Sequence, residues 1–269
     1  MSFDASAFGA ALPWAGGAVV VVLAATFAAS KIAHKHSVID TAWGLLFLVI
    51  AVAVFFRSDG HADGTRRWLL LILPVLWGGR LAQHIGRRTI GKPEDPRYEA
   101  MLAKAPGNPD LYALRMVYLL QGILAFLISA PILVGGFETG SVNAIAWVGV
   151  ALWCVGVFFE AVGDHQMEAY RRNPANKGGV IDVGLWRYTR HPNYFGDACV
   201  WWGIFLVSAS SWPGVLTFPA PVLMTLLLTK GSGARILEKH MSTRAGWAEY
   251  AARTSGFIPL PPRKGRPAQ

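Results

Sequence analysis

The chain has 269 residues, of which 53% are hydrophobic and only 15% charged. Soluble domains usually carry about 25% charged residues, so this balance, with its positive mean hydropathy, excludes an ordinary soluble globule and points to a membrane. The formal net charge of +9 raises nucleic acid as a partner, but no base-reading motif accompanies it, and the two cysteines, Cys154 and Cys199, build neither a disulfide framework nor a zinc site.

Seven stretches are apolar enough to cross a bilayer as helices, which takes about 20 residues each. They run roughly over 12–30, 38–56, 68–86, 113–134, 143–163, 194–210 and 213–229. The fold class is therefore all-α, a polytopic membrane protein. The first span has no basic segment before it and no small-residue cleavage site, so it is expected to be a retained helix. The last two are joined by little more than Ser210, Ser211, Trp212 and Pro213 and should form a tight antiparallel hairpin.

Lysine and arginine fall mainly in alternate loops. Lys31 and Lys35 follow span one; Arg87, Arg88, Lys92, Arg97 and Lys104 follow span three. Arg171, Arg172, Lys177, Arg187 and Arg190 follow span five, whereas the intervening loops hold only Arg57, Arg66 and Arg67. The positive-inside rule then places the amino terminus outside and the carboxy terminus in the cytoplasm. Residues 1–260 read as one membrane-embedded domain, with 261–269 a proline-rich, basic disordered tail.

The loop after span five, about 164–193, is the most polar on that face. It holds Asp164, Asn176 and Lys177 and runs into Gly184-Leu-Trp-Arg-Tyr-Thr-Arg-His-Pro-Asn-Tyr-Phe-Gly-Asp197 at the entrance to span six. Arginine forks bind phosphate oxygens in pairs, and the amino end of a helix attracts anions. Such a stretch suits a pyrophosphate and a charged ribose. A basic juxtamembrane loop with a helix cap would look similar, but topogenesis does not require Asn193 or Asp197 at a helix entrance.

Asp40, near the start of span two, is the other costly group, since an ionisable side chain in a span needs a partner or a task. Catalysis and a structural pair with Arg80 are both open to it. Arg80, His84 and Arg87 share one face of span three. Glu160 lies inside span five and pairs with an arginine or contacts a ligand. His34-Lys35-His36 reads as a surface loop and Glu238-Lys239-His240 as the solvated face of an amphipathic tail helix. No metal centre is expected.

The segment Gly184–Asp197 resembles the signature of the steroid 5-alpha-reductase and sterol-reductase superfamily, closest to its bacterial branch of uncharacterised membrane proteins. Val38–Gly44, Trp77–Leu81, Glu94-Asp-Pro-Arg-Tyr98, Pro174–Lys177 and Glu249–Pro259 are similar to that branch as well, so the resemblance extends over residues 35–260. It implies an NADPH-dependent reductase in a bacterial inner membrane, its cofactor region at about 160–258 facing the cytoplasm. Arg187, Arg190, His191, Asn193, Tyr194 and Asp197 are implied as cofactor contacts, joined by Asp164, Asn176, Lys177, Tyr250 and Arg253. Hydride would pass to the conjugated C=C bond of a hydrophobic enone, a 3-oxo-steroid-like molecule or another lipid, with an acid polarising the carbonyl. Eukaryotic steroid reductases hold the ketone with a tyrosine and a glutamate; here Asp40, His84 and Tyr98 are the catalytic candidates, Tyr98 being assigned to a loop. Two other readings compete. Isoprenylcysteine-carboxyl-type methyltransferases, which use S-adenosylmethionine, share the Arg-His-Pro-x-Tyr core; and the fold can serve as a non-enzymatic lipid-binding membrane protein.

Overall fold

The computed structural model describes residues 3–231 and 233–263, and among these it is helical apart from loops and two isolated bridges, with no strand. Its helices are α1 (Ala5–Ala33), α2 (Val38–Arg57), α3 (Gly64–Thr89), α4 (Pro96–Leu102), α5 (Pro109–Ala113), α6 (Leu120–Ile128) and α7 (Ala130–Gly135). They continue with α8 (Ala144–Arg172), α9 (Pro192–Ser208), α10 (Trp212–Val215), α11 (Pro219–Thr229), α12 (Ala234–Met241) and α13 (Trp247–Arg253). Among the described residues six helical stretches are long and apolar enough to cross a membrane. This is an integral membrane protein. The sixth expected span, 194–210, corresponds to α9, whose 17 residues sit at the lower limit of about 17 for a crossing helix. The last expected span is broken into α10 and α11 around Pro219. Most of the tail expected to be disordered lies outside the described residues; Arg263 within it is placed, its N–H donating to the Arg253 carbonyl at 2.9 Å.

Contacts group the chain into two compact units, one formed by the residues up to Trp147 with Ile204–Ala220, the other by Val148–Gly203 and Pro221 onward. In the first unit α2 packs against both α1 and α3. Its buried face includes Ile39, Leu46, Phe47 and Ile50, and Phe47 meets Trp77 of α3, all fully excluded from solvent. The crossing of α2 and α3 is set by Gly44 and Gly78: a Cβ on either would run into the other's backbone carbonyl. Between lipid-exposed helices no water is released on association, so close backbone approach at small residues is what holds such pairs together.

Short polar signals start the helices. Asp4, Asp63, Asp95 and Asn108 each accept backbone N–H groups at the entrance of α1, α3, α4 and α5. Pro96 and Pro109 occupy the first turn of α4 and α5, where the missing N–H costs nothing. These caps turn the long loop after α3, which carries Tyr98, into two short helices. Between α5 and α6 the segment Leu114–Leu119 is a π-helical turn. It presents Val117 and Tyr118 to a core shared with Ile39, Ala42 and Tyr98.

The first unit also buries an ion pair that its sequence gives no sign of. Arg66, counted above among loop charges, is fully excluded from solvent with Glu138. Its guanidinium lies 3.5 Å from the Glu138 carboxylate, and donates to the carbonyls of Glu138 and Gly140 and to Ser210 Oγ. Ser211 donates to the same carboxylate. Burial holds the Glu138 carboxyl above its ordinary range, against the pull of Ser211 and Arg66.

In the second unit α8 and α9 approach through glycine. A Cβ on Gly196 would meet the Gly156 carbonyl at 2.5 Å, and one on Gly203 the Gly149 carbonyl at 2.6 Å. Gly163 sits one further turn pair along α8, with Pro192 3.2 Å from its would-be Cβ. This close packing fixes Pro192, and with it the adjoining polar segment, against α8.

Candidate functional site

Two polar clusters are built, one in each unit. In the first, Tyr98 is not a loop residue: it stands on α4 and is buried, 9% exposed. Its hydroxyl donates to Asp40 Oδ1 at 2.6 Å, while Arg97 Nη2 lies 3.3 Å from Asp40 Oδ2. The structure thus brings together two of the three catalytic candidates. Asp40 thus has Arg97 and Tyr98 as partners. His84 is half-buried on α3.

Arg97 also chelates Asp95 with Nε and Nη2 at 3.0 Å, which raises its own pKa and, from the other side, lowers that of Asp95. Burial first, and then the neighbouring Asp40 carboxylate, push the Tyr98 phenol well up, so it stays a proton donor at any physiological pH. Glu94 anchors the arrangement. Its carboxylate accepts the backbone N–H groups of His36 at 2.5 Å and Ser37 at 3.0 Å, the first turn of α2. Burial works against its charge, but the hydrogen bonds from Ser37, His36 and Asp95 prevail and hold its pKa low. One loop acid therefore fixes the start of the helix that carries Asp40. His36, assigned to a surface loop, is buried and lies 3.1 Å from Asp110.

In the second unit the motif opens with a 3-10 turn, Gly184–Arg187. Gly184 has φ +59°, and the Gln166 amide packs where its Cβ would lie; Gln166 Oε1 in turn accepts the Leu185 N–H at 2.9 Å. Buried Trp186 donates to the Gly163 carbonyl on α8. Thr189 is fully buried, donates to the Phe257 carbonyl at 2.8 Å and forms a parallel bridge to Ser255. The carboxy-terminal segment is thereby laid along the motif.

Arg190 clamps it there. Nε donates to Glu238 at 2.9 Å and Nη1 to the Ala251 and Thr254 carbonyls, with the guanidinium 6.0 Å above the Trp247 ring. His191, 2% exposed, places Nε2 3.0 Å from the same Glu238 oxygen and stacks on Tyr194 at 5.3 Å. Burial holds its imidazole below the ordinary value, Glu238 pulling the other way. Glu238, expected on a solvated face, is therefore the acceptor around which Arg190 and His191 are organised.

Other expected cofactor contacts also have internal partners. The Tyr250 hydroxyl donates to the Trp186 carbonyl at 2.6 Å, Arg253 pairs with Asp182, and the Asn176 amide donates to the Tyr170 carbonyl. Arg187 and Lys177 are exposed and, among the described residues, enter no ion pair. Asn193, whose Oδ1 accepts the Tyr194 N–H at 3.1 Å, and Asp197 are half-buried on α9, and Asp164 is half-buried on α8. Beside Glu238 lies a cavity of about 430 Å³ rimmed by Lys230 and Arg235 and backed by Gly256 and Phe257. Among the described residues no cluster of histidines, cysteines and acids could hold a metal ion.

A family model described as a protein of unknown function, DUF1295, matches residues 26–254. The chain belongs to this family. Both polar clusters of this DUF1295 chain fall within the matched residues. It is also 22% identical over 229 residues to uncharacterized protein C594.04c of Schizosaccharomyces pombe, an alignment covering 76% of this chain and 66% of that relative. The DUF1295 chain thus spans just under two thirds of the yeast protein's length. No solved structure matches.

Proposed function

We propose that this protein is an NADPH-dependent membrane reductase of the steroid 5-alpha-reductase type, acting on the conjugated C=C bond of a hydrophobic enone. The observation that carries the proposal is the 2.6 Å hydrogen bond between Tyr98 and Asp40. It joins a phenol and a carboxyl group, the two chemistries with which steroid reductases hold a ketone, across 58 residues of sequence.

NADPH, when bound, supplies a hydride to the electron-poor carbon. The residues for its charged half fit that role: Arg187, Lys177, Lys230 and Arg235 are exposed cations, and the cavity beside Glu238 has room for a phosphorylated ribose. Arg190, Tyr250 and Arg253 instead shape the site by fixing the carboxy-terminal segment. Tyr98 presents its O–H to the substrate carbonyl. A proton on Asp40, donated to the Tyr98 oxygen, then makes the pair a two-link donor that stabilises the negative charge developing on the substrate oxygen. Arg97 and Glu94 hold the pair in place. The amino terminus is assigned to the outside and the cofactor region to the cytoplasm of a bacterial inner membrane, in keeping with the loop charges.

The test uses purified protein in nanodiscs, 3-oxo-steroid-like enones and NADPH deuterated at the transferring position. Deuterium on the β-carbon and a solvent proton on the α-carbon are expected. A product without deuterium would contradict hydride transfer. One observation favours a second reading, the S-adenosylmethionine-dependent methyltransferase: an acid downstream of the motif, Glu238, does touch its Arg190-His191 core. Methylation of an isoprenylated thiol-acid by the same preparation would support that reading and remove the first.

A further inference from the structure

A second cavity, in the first unit, borders the Asp40–Tyr98 cluster through Glu94 and His36. It has a volume of about 290 Å³, is half open, and lies where α1 ends, bordered by α4 and the start of α5. By volume it holds about ten waters, enough for a phosphate carrying a short amine.

Its charges are of both signs, and most are already matched. Lys31 pairs with Asp110 at 2.5 Å, and the Glu94 carboxylate accepts backbone N–H groups at the start of α2. Three groups remain. Lys35 Nζ donates to the carbonyls of Thr89 and Lys92, at 2.8 and 2.9 Å, and among the described residues no acid forms an ion pair with it. His34, held in the left-handed conformation that ends α1, projects an exposed ring with no side-chain partner among the described residues. Glu99, exposed on α4, has no side-chain partner among them either. The cavity therefore offers a cationic end, Lys35 with His34, and a separate anionic end, Glu99. That pattern complements a group bearing a phosphate and an ammonium together. A purely anionic headgroup would face Glu99, and a quaternary amine could not hydrogen-bond to it. The membrane supplies such a group with its own anchor: Ile32 is 83% exposed just before His34, and Leu111 is 57% exposed next to Asp110, leaving apolar surface for acyl chains beside the cavity.

We infer that this cavity is a binding site for the headgroup of a zwitterionic aminophospholipid, a phosphoethanolamine lipid. Lys35 and His34 take the phosphate, and Glu99 takes the primary ammonium. The site does not depend on the reductase proposal.

The full chain, reconstituted in nanodiscs containing phosphatidylethanolamine, phosphatidylcholine and phosphatidylglycerol in equal parts, is released into the gas phase and its retained lipids are weighed by native mass spectrometry. Phosphatidylethanolamine is expected to be retained about fivefold over the other two, the preference that one charge-assisted contact near a surface supports. Glu99→Gln, at an exposed position with no contact to lose, should fold normally and abolish the preference while leaving total lipid retention unchanged. His34→Ala should lower retention of all three. Equal retention of the three lipids by the unaltered protein, or a preference that survives Glu99→Gln, would overturn the inference. Displacement of the lipid by an equal concentration of free phosphoethanolamine would overturn its lipid source.

Discussion

Replacing Tyr98 by phenylalanine removes a single O–H and keeps the ring that packs against Ile39, Ala42 and Val117. The structural losses are the contact with Gln121 and the bond to Asp40, whose side chain is 29% exposed and keeps Arg97 as a partner. A hydrogen bond to a charged group contributes about 1.5–3 kcal/mol; with water able to reach Asp40, the loss should fall at the low end, about 1–2 kcal/mol. For a chain of this length that lowers Tm by roughly 2–8 °C. If the phenol polarises the substrate carbonyl, turnover should fall far more, by about 10²- to 10⁴-fold, while NADPH still protects the variant from unfolding. The assay is loss of dihydronicotinamide absorbance with a hydrophobic enone, measured well below the variant's Tm, with a melt in detergent alongside. A variant that loses a few degrees yet turns over within severalfold of the unaltered protein would refute the assignment, because Tyr98 would then be only a structural partner of Asp40.

Asp40→Asn should likewise retain cofactor protection and lose turnover; unchanged turnover would remove Asp40 from the mechanism. Glu238→Gln removes the charge that organises Arg190 and His191, so limited proteolysis after Arg253 should accelerate and NADPH protection should weaken; unchanged cleavage and protection would rule out its organising role. Glu94 has its pKa lowered by folding, so its contribution to stability is complete above its ordinary pKa of about 4.3 and is lost as pH falls through the lower folded value. Melting curves between about pH 3 and 6 should therefore drop on acidification, and Glu94→Gln should flatten that part of the profile; an identical slope in both proteins would remove Glu94 as the cause. Gly44→Ala should destabilise by about 1–3 kcal/mol or more, since its methyl meets the Gly78 backbone, which cannot rotate away.

The spans were legible because a bilayer imposes length and apolarity on each one separately. The second expected span, 38–56, nearly coincides with α2, Val38–Arg57. Where a span is short or broken the signal weakens, as at α9 and at the break before Pro219, which opens α11. Helix α4 was signposted by Asp95 and Pro96, an N-cap followed by a first-turn proline, but seven residues in a polar loop carry no periodicity strong enough to outweigh the loop composition. Asp40 and Tyr98 could each be nominated as costly or chemically able groups. That they share a hydrogen bond across 58 residues could not be seen locally, and neither could the approach of Arg97 to Asp40. Glu238 was hidden for the same reason. It lies 47 residues from His191 in a helix whose other charges are exposed, and only the return of the carboxy-terminal segment along the motif reveals what it holds. The motif itself was legible as a site, but not which of its arginines stays open. Arg187 does, and Arg190 is taken up with the chain's own carbonyls.

The central claim is the cofactor, and thermal unfolding of the purified protein in detergent tests it most directly, with NADPH and S-adenosylmethionine added separately. A ligand at about 100 times its Kd adds about 2.7 kcal/mol, a rise of several degrees in Tm. NADPH should produce that rise and S-adenosylmethionine should not; stabilisation by S-adenosylmethionine alone would contradict the reductase.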